Sequence, residues 1–202
     1  MRRAALVLLL VLPLAARAEP AADMTARLVA AAEARAAVKV RYEPAYVAIP
    51  YPGGDVPADT GVCTDEIIRI YRAVGFDLQR AVHEDILRDR AAYRRVAGRP
   101  DRNIDHRRVP NLATYFARHG EVLPITADPA DYRPGDLVVW DLLAGHIGMV
   151  VERKAPGGAR HLILHNVGAG PKVEDALFSW RILGHYRFVP KDPGTSSRPP
   201  SP

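Results

Sequence analysis

The chain has 202 residues, of which 28 are Lys or Arg, 23 are Asp or Glu and one is Cys. A formal charge of +5 is too small to mark a nucleic-acid-binding surface, and a single cysteine excludes an intramolecular disulfide. The length fits one domain between short terminal segments.

The N-terminus reads MRRAALVLLLVLPLAARAEPAA, the pattern of a secretory leader. Arg2 and Arg3 form a basic start, residues 4–16 are apolar but too few to span a bilayer, and Ala16-Arg17-Ala18 fits small-x-small cleavage. A signal peptide over 1–18 is therefore expected. One α+β domain should follow over 19–190, then a disordered Pro- and Ser-rich tail over 191–202. Without Arg2, Arg3 and Arg17 the charge falls to about +2. No later stretch is long and apolar enough for a transmembrane helix.

Residues 25–40, TARLVAAAEARAAVKV, predict a helix with Thr25 at its N-cap. Residues 41–61 are broken by Pro and Gly and predict extended chain and turns. A second helix is predicted over 63–74. Ile67, Ile68, Ile70, Tyr71 and Val74 form its apolar face, Arg69 and Arg72 face water, and Gly75 ends it. A charged helix over 82–98 precedes a polar loop over 100–111. A short helix over 109–120 has Pro110 near its start and Gly120 at its end. Beyond Asp131 the pattern turns to strands: 133–142 after a turn, 146–153, 160–168 after the turn APGGA, and 183–190. Helices first and short antiparallel strands second is an α+β order.

Cys63 opens a predicted helix. There the unpaired backbone N–H groups and the helix dipole favour thiolate. A nucleophilic cysteine also needs a base, normally a His held by a third polar group. Of seven His, His146 opens one strand and His165 lies at the end of the next. Neighbouring antiparallel strands can put both side chains on one face. Taken singly, each residue reads as packing; taken together they read as nucleophile, base and orienting group. Asp105, His106, His146 and His165 show neither H-E-x-x-H nor His-x-His spacing, so no metal site and no cofactor are expected.

The order of helix-borne Cys63, the run Gly135-Asp136-Leu137-Val138, His146-Ile147-Gly148 and His165 resembles the NlpC-type cell-wall cysteine peptidases of the papain-like superfamily. The longer patches TGVCTDEIIRIYRAVGFDLQ, VHEDI, NIDHRRVPNL, RPGDLVVWDL, HIGMV, HNVGAGPKVED and GHYR are similar to the bacterial family known as domain of unknown function 1287. The chain departs from the NlpC-type pattern at the nucleophile. It has Val62-Cys63-Thr64-Asp65 where those enzymes usually carry Asp-Cys-Ser-Gly.

The resemblance implies a papain-like NlpC-type fold, with N-terminal helices packed on a small antiparallel sheet. It also implies an exported, periplasmic cysteine hydrolase that cleaves a peptide or amide bond of peptidoglycan through Cys63, His146 and His165. Tyr51 stands where NlpC-type enzymes often place a tyrosine near the oxyanion. Asp105, His106 and Arg107 of the polar loop, with Arg108, are candidates to line the cleft and hold a carboxylate-rich peptide stem. Two alternatives stay open: a catalytically silent cell-wall-binding module, and a thiol-dependent acyl or amide transferase.

Overall fold

The computed structural model describes residues 20–94 and 98–191. The expected leader, and the expected tail beyond Lys191, lie outside the described residues. In chain order the elements are α1 (Pro20–Arg35), β1 (Arg41–Tyr42), β2 (Thr60–Gly61), α2 (Cys63–Ala73), α3 (Leu78–Arg88), α4 (Val109–His119), β3 (Glu121–Val122), β4 (Leu137–Trp140), β5 (His146–Lys154), β6 (His161–Asn166), β7 (Pro171–Glu174) and β8 (Ile182–Arg187). Short 3-10 turns lie at Arg90–Tyr93, Asp105–Arg107 and Pro129–Asp131. The class is α+β: the described residues form four α-helices and a six-stranded antiparallel sheet of order β3-β8-β4-β5-β6-β7, with a separate two-residue parallel pair, β1 with β2.

The predicted boundaries shift where a polar side chain competes for the backbone. Thr25 does not cap α1. Its hydroxyl donates to Ala21 O inside a helix that begins at Pro20. The expected helix over 82–98 instead starts at Leu78, because the Asp77 side chain accepts the Arg80 N–H at 3.2 Å. It stops at Asp89, whose own side chain accepts from Ala92 and opens a 3-10 turn. Strands β3 and β7 were not anticipated. Both are short, and β7 begins with Pro171 at the sheet margin, where a missing N–H is tolerated.

Alternation along the central strands divides the core in two. Leu137, Val139, Ile147, Met149, Val151 and Leu164 pack with Leu28, Ile67, Ile70, Tyr71, Leu112 and Phe116 on the helical side. Val138, Trp140, Val150 and Ile163 pack with Tyr132, Ala176 and Leu177 on the other. The GDLV and GHYR patches form one buried knot on this frame. Asp136 accepts from Arg187 Nε at 2.7 Å, His185 Nε2 at 2.9 Å and the Arg133 N–H at 2.9 Å, tying β4 to β8.

Helix α2 corrects the expectation that Arg69 and Arg72 face water. It is buried on nearly every side, and Arg69 is only 8% exposed. Its charged residues grip the irregular segment that precedes it. Arg69 donates to Asp55 Oδ2 at 3.0 Å and to the carbonyls of Pro57 and Thr60, while Arg72 donates to Asp55 and Gly54 O. Asp65 accepts the Val62 N–H at 2.8 Å, fixing the turn just before Cys63. Asp65 also holds Arg107 in a fully buried bidentate pair, Nε at 2.8 Å and Nη2 at 3.1 Å. Gly75 follows the helix at φ +86°, the left-handed conformation that a helix end favours. Replacing Arg107 by Leu strands the Asp65 carboxylate in the interior. Urea denaturation at pH 7 is expected to show a loss of about 3–5 kcal/mol; a loss below about 1 kcal/mol would mean that the pair does not clamp the helix.

Candidate active site

Cys63 is the first residue of α2 and is 5% exposed. Its sulfur receives backbone N–H groups from Thr64 and from Ile147, the residue after His146. Asn166, at the end of β6, reaches Gly61 O at 3.5 Å, so the chain just before the cysteine is tied to the sheet. The thiol borders an open cleft of ≈ 410 Å³. Tyr42, Pro44, Arg107, Arg108, Val109 and Gly145 also line that cleft.

The two strand histidines meet. His146 Nε2 and His165 Nδ1 are 2.8 Å apart, and His165 Nε2 lies 2.9 Å from Glu174 Oε1 on β7. His146 and His165 are both buried, on the sheet face away from the helices. Trp140 and Trp180 enclose the pair, with ring centroids 5.6 and 5.7 Å from His146 and 6.4 and 5.9 Å from His165. Trp140 is itself pinned by its indole N–H to Leu177 O at 2.9 Å. Gly148 explains the His-hydrophobic-Gly pattern. A Cβ there would lie 2.8 Å from Leu164 O and 3.1 Å from the His165 Cβ, so only glycine lets β5 and β6 close up beside the imidazoles.

Burial decides the resting charge of these groups. The helix N-terminus and two amide donors favour thiolate, yet desolvation outweighs them and pushes the Cys63 thiol up to about 11. That corrects the expectation of an activated thiolate at rest. Burial, followed by the neighbouring His165, lowers His146 to about 4. Burial likewise lowers His165, against the opposing pull of Glu174. Cysteine and imidazoles therefore rest neutral, and any attack by sulfur must coincide with proton transfer to a base.

The substrate-binding expectations fare differently. Tyr51 does not line the Cys63 cleft. Its ring packs edge-on to His83 at 5.4 Å, with the Arg102 guanidinium 5.8 Å over it. The tyrosine beside the cysteine is Tyr42, whose phenol pKa is raised by burial first and then by Cys63 and Asp65. Asp105 is buried, accepts the Asp101 N–H and lies 2.9 Å from His83 Nδ1. His106 is buried with Nδ1 unpartnered among the described residues. Arg107 does reach the cleft, but its guanidinium is committed to Asp65 and to the carbonyls of Ala45 and Glu43. Asp105 and Arg107 thus hold the loop, and His106 is buried outside the cleft lining; Arg108, which does line the cleft, has no ion pair among the described residues. Sequence reading missed Tyr42, Glu174 and Trp180. Glu174 was hidden because its strand was not predicted, and neither Tyr42 nor Trp180 falls in a periodic segment. Among the described residues no group of three or more His, Cys, Asp or Glu is placed to hold a metal ion.

A family model described as domain of unknown function (DUF1287) matches residues 29–188. The chain belongs to this family. It is also similar to the uncharacterized protein YijF of Escherichia coli (strain K12), with 51% identity over 154 residues, covering 74% of this chain and 75% of the relative. The family match takes in Cys63, His146, His165 and Glu174. Among the described residues no helix is long and apolar enough to cross a membrane.

Two outcomes test this geometry. His146, His106 and His165 are neutral in the fold, with pKa values of about 4 and about 3 for the first two, against 6.5 for an ordinary His. Below 6.5 the unfolded chain takes up protons that the fold refuses. Stability is therefore full above that pH and lost as pH falls toward the folded-state values, by up to about 1.4 kcal/mol per pH unit for each of His146 and His106, with His165 acting in the same direction. Urea midpoints should drop between pH 7 and pH 5, and His146→Gln should flatten the drop. An unchanged midpoint would mean the imidazoles are already charged in the fold. Separately, Gly148→Ala should force β5 and β6 apart, cost about 1–3 kcal/mol, and break the His146–His165 bond, read as loss of its downfield imidazole proton in NMR.

Proposed function

We propose that this protein is an exported cysteine hydrolase with a papain-like NlpC-type fold, acting in the periplasm on a peptide or amide bond of peptidoglycan. What supports the reading is that the chain His146–His165–Glu174 starts at the residue just before Ile147, whose backbone N–H reaches the sulfur of helix-borne Cys63 at an open cleft, although the two imidazoles themselves lie on the opposite face of the sheet. Export rests on the leader pattern at the N-terminus. The substrate class rests on the motif resemblance to NlpC-type enzymes, supported by the cationic Arg108 at the cleft.

In this reading Cys63 Sγ attacks the carbonyl carbon while its proton passes to His146. A carbon–sulfur bond forms, and the oxyanion takes the Cys63 backbone N–H, with the Tyr42 hydroxyl as a second donor from the cleft lining. The tetrahedral adduct collapses as His146 returns the proton to the leaving amine and the carbon–nitrogen bond breaks. Water then hydrolyses the thioester, again with His146 as base. His165 orients His146 throughout. Because thiol and imidazole rest neutral, proton transfer belongs to the attack step.

One observation favours a second reading, a silent wall-binding module: the thiol is almost wholly buried and held high by desolvation. Release of free amino groups from purified murein peptides separates the two. The hydrolase reading expects release by the wild-type chain and a loss of about a thousandfold or more in Cys63→Ala. Peptide binding without release, unchanged in Cys63→Ala, would replace it with the binding module. Transfer of the acyl group to an added amine, in place of free acid, would mark the transferase.

A further inference from the structure

We propose that Glu174 is a positioning residue: it fixes the order of protons along His165 and His146, so that the basic nitrogen of His146 is Nδ1. This deepens the hydrolase reading and rests on it for its consequence, though not for its geometry.

An imidazole pair joined by one hydrogen bond has two possible proton orders. In one, His146 Nε2–H donates to His165 Nδ1. In the other, His165 Nδ1–H donates to His146 Nε2, which leaves the single proton of neutral His146 on Nδ1 and removes that nitrogen as a base. The 2.8 Å contact between the rings is compatible with both. Glu174 breaks the symmetry. A carboxylate only accepts, and its Oε1 stands 2.9 Å from His165 Nε2, so that nitrogen carries the proton. Neutral His165 then has only a lone pair at Nδ1. His146 must donate from Nε2, and its lone pair is left at Nδ1.

Among the described residues no other hydrogen-bond acceptor stands at His165 Nε2. The charged groups acting on His165 are Glu174 and Lys172 of β7, and Lys172 opposes proton uptake. From β5 the ring meets His146, from β4 Trp140, and from the segment before β8 Trp180. Lys172 is the register partner of His165, while Glu174 is opposite Ile163 and reaches the imidazole diagonally across the strand pair. The Glu174 side chain is 47% exposed while that of His165 is fully buried. The carboxylate thus stays hydrated at the edge of the sheet and acts on a dry pair of rings.

Glu174→Ala tests the proposal, because removing a half-exposed carboxylate leaves the apolar core intact. With 15N-labelled histidine, long-range 1H–15N correlation spectra at pH 7 report which ring nitrogen of His146 is protonated. The wild-type chain is expected to show His146 protonated at Nε2 alone. Glu174→Ala should show a mixture of both tautomers, with the melting temperature little changed. Cys63 alkylation by iodoacetamide should slow by about tenfold, the scale for losing a partner that orients a functional His. Glu174→Gln, whose amide oxygen can still accept, should restore part of both. A wild-type His146 protonated at Nδ1, or a tautomer unchanged in Glu174→Ala, overturns the proposal. A tautomer shift in Glu174→Ala alongside no amine release by the wild-type chain sustains the proton order and removes the hydrolase reading instead.

Discussion

The site depends on charge buried inside helix α2. Asp65 and Arg69 are almost entirely out of water, and each is neutralised by a partner that lies far away in sequence or in irregular chain. An unpaired charge in such a place costs several kcal/mol, so the segment 43–62 and the loop carrying Arg107 have little freedom in where they sit. Asp65 does both tasks at once. One oxygen accepts the Val62 N–H and sets the turn into the helix, and the same carboxylate receives the Arg107 fork. The position of Cys63 follows from that pair more than from its own contacts.

The second constraint is dryness. Two tryptophans close the far side of the sheet over His146 and His165, and Gly148 lets the strands approach closely enough for the rings to bond. The same enclosure that aligns the imidazoles keeps them neutral, and burial keeps the thiol neutral as well. Helix-dipole stabilisation of a thiolate is real, but it amounts to about 0.3–1 kcal/mol. Desolvation of a buried sulfur is larger, which is why the resting pair is thiol and imidazole. Such a pair suits a reaction in which proton transfer accompanies attack.

Much of the architecture was legible in the chain. The α2 boundaries, the α4 helix, and strands β4, β5, β6 and β8 lie close to where apolar periodicity and Gly or Pro punctuation put them. His146 and His165 could be paired in advance because strands of alternating pattern with a short turn between them have few registers. Other readings failed for identifiable reasons. Arg69 looks solvent-facing by helical period, yet period says only which side it is on, and that side is covered by the 43–62 segment. Tyr51 lies at a plausible distance along the chain from Cys63, but the turn at 51–54 carries it to His83, and Tyr42 takes the place beside the cysteine. Glu174 sits on a four-residue strand too short and too polar to signal itself.

The sequence by itself determined the α+β class, the family, the helix that Cys63 opens and the strand histidines that bond, since these follow from local pattern and from motifs contiguous in the chain. Tertiary structure alone decided which charges are buried, which tyrosine borders the cleft, that a carboxylate closes the histidine chain, and that thiol and imidazoles rest uncharged. The physical reason is that solvation and proton affinity are set by what surrounds a group in space. Segments more than a hundred residues apart, such as Gly61 and Asn166, meet only after the whole sheet has formed.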